Sequence, residues 1–128
     1  MNVKIPISIG ELLDKISILE IKCIKILDEN KLVNIKKELS ELKQEYEKIK
    51  INDSVINSLY KELYGINLML WEVEDSIRVL EKNQKFENTF IELARTVYKT
   101  NDRRFEVKNK INSILNSEFK EEKSYEKY

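Results

Sequence analysis

From Ser8 onward, apolar residues recur at steps of three and four, the spacing that gives a helix one apolar face. In the first stretch Ile9, Leu12, Leu13, Ile16, Leu19, Cys23, Ile26 and Leu27, with Ile18, Ile21 and Ile24 beside them, leave a polar stripe only through Glu11, Lys15, Lys22 and Lys25. So wide an apolar surface predicts a central, largely buried helix that ends near Leu27. Ahead of it Val3, Ile5 and Ile7 alternate with polar residues and Pro6, which cannot sit inside a helix, so residues 1–8 read as an extended lead-in. Ser8-Ile9-Gly10-Glu11 has the form of a capping box, with Ser8 as the N-cap.

After the polar break at Asp28-Glu29-Asn30, Leu32, Ile35, Leu39, Leu42, Tyr46 and Ile49 form a coiled-coil-like seam and predict a helix over 31–50. Asn52-Asp53-Ser54 supplies a turn and an N-cap. Ile56, Leu59, Leu63, Ile66, Leu70, Val73, Ile77 and Leu80 then continue the same step. A link this short predicts that these two helices fold back as an antiparallel hairpin. Phe86, Phe90, Ala94 and Val97 open a further stripe that turns polar at Asn101, Arg104 and Lys108 before Ile111 and Leu115. Thr100-Asn101-Asp102 either divides this segment into two helices or lies within one helix over 86–115, and the continuous helix is the favoured reading. Residues 117–128 read as a charged tail. The expected architecture is a single all-α domain over 1–128, an antiparallel bundle of four helices, or five if the last segment breaks.

Composition narrows the chemistry. No His is present, which removes imidazole triads and the usual zinc ligands, and two Gly leave no phosphate-cradling loop. The 23 basic and 23 acidic residues cancel, so no overall field draws the chain to nucleic acid or an anionic membrane. A lone cysteine and no long apolar run argue for the cytoplasm and against membrane spanning. No cofactor is expected.

Only four of the basic residues are arginines, Arg78, Arg95, Arg103 and Arg104, and all fall in one stretch. Guanidinium offers a rigid bidentate fork, suited either to bracing a carboxylate or to holding a small anion such as a phosphate or dicarboxylate. On one helix, Arg95, Tyr98, Asp102 and Phe105 share a flank and Asn101, Arg104 and Lys108 the next, forming a polar island that needs acidic partners or a bound anion. Glu74 on the third helix is one candidate partner. It shares a stripe with Tyr60, Tyr64, Asn67, Trp71 and Arg78, a face suited to packing, subunit contact or a pocket wall. The acidic pairs Glu38/Glu41 and Glu72/Asp75 carry an alternative metal reading, as Mg²⁺ ligands of an all-α nucleotide pyrophosphohydrolase.

Ile5-Pro6-Ile7-Ser8-Ile9-Gly10-Glu11-Leu12-Leu13-Asp14-Lys15, Glu92-Leu93-Ala94-Arg95, Thr100-Asn101-Asp102-Arg103-Arg104 and Glu121-Glu122-Lys123-Ser124-Tyr125 together resemble an uncharacterised family of small bacterial and phage proteins, a domain of unknown function. The resemblance covers nearly the whole chain and implies a helical fold, with no catalytic residues to carry over. The leading expectation is a non-catalytic helical protein that forms a homodimer or other homo-oligomer and binds a protein partner. The alternative is a small all-α enzyme or anion-binding protein.

Overall fold

The computed structural model describes residues 1–128. It contains four helices and no strand: α1 (Ile9–Lys25), α2 (Glu29–Lys48), α3 (Ser54–Lys82) and α4 (Asn88–Ile114). The last segment is one unbroken helix. Thr100 is buried within it and its hydroxyl reaches the Met69 sulfur at 3.7 Å, so the Thr-Asn-Asp run packs against α3 instead of capping a new helix.

Local chemistry sets the boundaries. Ser8 Oγ accepts from the Glu11 N–H at 3.1 Å, and the Asp28 and Asp53 carboxylates accept from the first N–H groups of α2 and α3. Only the Ser8 half of the capping box forms, because Lys108 draws the Glu11 carboxylate across to α4. At their far ends α2, α3 and α4 close on left-handed Lys50, Gln84 and Asn116. The Lys85 N–H donates to the Leu80 carbonyl and the Ser117 N–H to the Asn112 carbonyl, each at 2.9 Å, as in a Schellman closure.

The core lies where α1 crosses the α3–α4 pair. Leu12, Leu13 and Ile16 meet Ile56, Leu59, Leu63 and Ile66 from α3 and Val107 and Ile111 from α4. α1 is the central helix, in backbone contact with all three others, as its wide apolar surface implies. α2 lies against α1 and not against α3, which corrects the expected α2–α3 hairpin. The reason is competition for faces: α1 is apolar on several sides and receives the single stripe of α2 on one of them, while the α3 stripe is taken by α1 and α4. None of the residues of α2 is fully buried. Beyond the crossing, Glu74 to Lys99 form a two-helix arm that contains no buried residue.

Candidate functional site

Gly10, Asp14 and Ser17 fall at i, i+4 and i+7, so α1 turns one face of small and polar side chains toward α3 and α4. Asp14 is its centre. At 1% exposure it accepts from Arg104 Nε at 2.9 Å and from Arg104 Nη2 at 2.5 Å, a bidentate pair. Asn67 Nδ2 donates to Asp14 Oδ1 at 2.9 Å and to Ser17 Oγ at 2.7 Å, and the Ser17 hydroxyl donates to the Asp14 carbonyl at 2.7 Å. One turn along, Lys108 Nζ lies 2.8 Å from Glu11, 2.9 Å from Glu121 and 3.9 Å from Asp14. The Asp14 hydrogen bond holds the Arg104 guanidinium above its ordinary pKa, against the opposing effect of burial. For Lys108 burial pushes downward, but the bonds to Glu11 and Glu121 outweigh it and the ammonium is also held up.

The same face ties the chain's two ends together. The Gly10 N–H donates to Asn112 Oδ1 at 2.7 Å and the Ile9 N–H to Ser117 Oγ at 3.2 Å. The first N–H groups of α1 therefore find partners on α4 and just after it. A Cβ added to Gly10 would meet the Lys108 carbonyl at 2.6 Å, so this contact requires glycine.

Past Asp14, between the second half of α1 and the arm, a cleft of about 410 Å³ opens. Ile18 and Ile21 of α1 form one wall, Asn67, Leu70, Trp71, Glu74, Asp75 and Arg78 of α3 a second, and Asn101 and Arg104 of α4 complete it. Arg78 is bonded to Glu74 one turn earlier.

Of the residues singled out by sequence, Asn67, Trp71, Glu74, Asp75, Arg78, Asn101 and Arg104 line this cleft. Arg95, Arg103, Tyr98 and Asp102 lie elsewhere. Arg95 pairs with Glu92 at 3.2 Å on the exposed side of α4, and Arg103 lies 3.9 Å from Glu62. Tyr98 stacks edge-on against Tyr128, whose hydroxyl donates to Asp102 at 2.5 Å. The charged tail thus turns back along α4, although it has no regular structure. Of the polar island, Arg104 pairs with Asp14 and Lys108 with Glu11, neither with Glu74. Asp14 was not singled out by the sequence reading, and the available signal was its place with Gly10 and Ser17 on an otherwise apolar helix. The Mg²⁺ reading fails on topology: Glu38 and Glu41 lie exposed on α2, Glu72 and Asp75 on α3, and these helices do not meet. No three Asp, Glu or Cys side chains converge as metal ligands. No helix is long and apolar enough to cross a membrane.

No curated protein and no solved structure matches the chain. The family model of DUF6165, a family of unknown function, matches residues 3–128, and the chain belongs to that family.

Proposed function

We propose that this member of the family is a non-catalytic, cytoplasmic helical protein that self-associates through its α3–α4 arm and works by binding a partner. The observation that carries this reading is the uncovered arm. Ile77, Leu80, Phe90, Leu93 and Val97 stay half-buried because only two helices meet there, and Val79 and Ile91 are about half exposed, at 57% and 49%. The whole chain exposes 9477 Å², whereas a compact monomer of this mass exposes roughly 7,200 Å². The extended ends account for part of the difference. The difference nevertheless exceeds the roughly 800 Å² that each partner contributes to a standard interface, so a second copy has enough surface to cover. Two such arms side by side make a four-helix bundle, the smallest arrangement in which both seams become core.

Charge pairing favours this reading over anion binding, because Arg104 is held by Asp14 and Arg78 by Glu74. The test is the mass in solution across a wide concentration range. A dimer supports the proposal and a concentration-independent monomer removes it. Turnover of a nucleoside triphosphate with Mg²⁺ would overturn the non-catalytic half.

A further inference from the structure

The geometry points to the cleft between α1 and the arm as a binding site for a cation, an ammonium or guanidinium group lodged between Trp71 and Asp75. This inference does not depend on self-association, since every residue it uses comes from one chain.

The case begins with charge. The cleft lining holds two cations, Arg104 and Arg78, and two carboxylates, Glu74 and Asp75. Asp14, just beneath, pairs with Arg104: both carboxylate oxygens accept from the guanidinium, and Oδ1 also accepts from Asn67. That pair is neutral, so Arg104 offers an incoming anion no uncompensated charge. Arg78 is bonded to Glu74 and makes no ion pair with Asp75. Lys25, at the end of α1, is engaged by Glu72 at 3.6 Å. Asp75 is left exposed with no cationic partner, the one charged group of the lining that no ion pair engages.

Trp71 adds the second observation. It precedes Asp75 by one helical turn, so the two share a face of α3, and its half-buried indole forms part of the wall. An indole face attracts ammonium and guanidinium groups and offers nothing to a carboxylate or phosphate. The amides of Asn67 and Asn101 supply neutral polar groups, and Ile18, Ile21 and Leu70 an apolar lining for an alkyl stem. An alkylamine or alkylguanidine matches these groups, whether free or borne on a protein side chain.

Trp71 is the only tryptophan in the chain, so intrinsic fluorescence reports directly on the cleft. The probes are agmatine, a short peptide with a central arginine, and succinate as the anionic comparison. Agmatine is expected to give a saturable fluorescence change and succinate none. Asp75→Asn should weaken agmatine about tenfold, the range of a hydrogen bond between charged groups. Arg78→Gln frees Glu74 and should tighten it. An anion site requires the opposite order, so the two variants oppose each other even if one loses some stability. Tighter binding of the peptide than of agmatine assigns the cation to a protein side chain, and the reverse assigns it to a free small molecule. A saturable response to succinate, equal agmatine affinity in all three proteins, or no response to either cation overturns the inference.

Discussion

Replacing Asp14 by Asn tests the account of the polar face, because the two side chains have nearly the same shape and differ in charge. In the native protein the carboxylate is 1% exposed, accepts twice from Arg104 and once from Asn67, and lies 3.9 Å from Lys108. Breaking a buried pair from one side costs about 3–5 kcal/mol, since the other charge stays behind. The lower end applies here. The Arg104 side chain is 28% exposed and can turn toward water, and Lys108 keeps Glu11 and Glu121. The expected loss is therefore about 3 kcal/mol, or roughly 10 °C in melting temperature for a chain of this size. Urea denaturation followed by circular dichroism measures it, with Glu92→Gln as the comparison. Glu92, 68% exposed and paired with Arg95, should change stability by less than about 0.5 kcal/mol. A double-mutant cycle with Arg104→Met should return a coupling of about 2 kcal/mol. If Asp14→Asn matches Glu92→Gln, or the cycle shows no coupling, Asp14 does not organise the packing of α1 on α4.

Other substitutions separate neighbouring features. Arg104→Lys loses the bidentate fork and should cost about 1–2 kcal/mol, whereas Arg95→Lys, on the exposed side of α4, should leave the melting curve unchanged; equal shifts would contradict the assignment of Arg104 as brace. Gly10→Ala forces Cβ into the Lys108 carbonyl and should cost about 2 kcal/mol or more in a denaturant titration. Gly65→Ala has no neighbour within 4 Å on an exposed helical turn and should stabilise by about 0.5–1 kcal/mol, so opposite signs are expected. Burial first, and then the hydrogen bond to Glu20, hold the Tyr60 phenol above its ordinary pKa. Because the folded value is raised, this contribution is complete below the unfolded pKa, roughly 10, and is lost as pH rises through the folded one. Stability should fall from about pH 10 upward, less steeply in Tyr60→Phe, and equal slopes would contradict this.

The legible parts of the sequence were those written in local spacing. The α1 stripe with its narrow polar edge identified a central helix, and the Asn67, Trp71, Glu74 and Arg78 spacing marked a shared face, which lines the cleft, without deciding between packing, subunit contact and a pocket wall. Pairing was not legible. A seam such as Leu32 to Tyr46 states that a helix has an apolar face but not which helix receives it, and α1 had more than one face to offer. Asp14 escaped because an acid among leucines and isoleucines shows no partner within its own helix, and Arg104 stands 90 positions away. The Arg95 and Arg104 readings diverged for a related reason: spacing of nine residues on α4 turns Arg104 toward α1 and leaves Arg95 in solvent.

Sedimentation velocity from low to high micromolar concentration tests the central claim most directly. The account predicts a species of twice the 15.3 kDa chain mass at the upper end, dissociating on dilution, with the arm from Glu74 to Lys99 gaining protection from hydrogen exchange as the dimer forms. A single species at 15.3 kDa throughout, with the arm exchanging equally fast at every concentration, would contradict it.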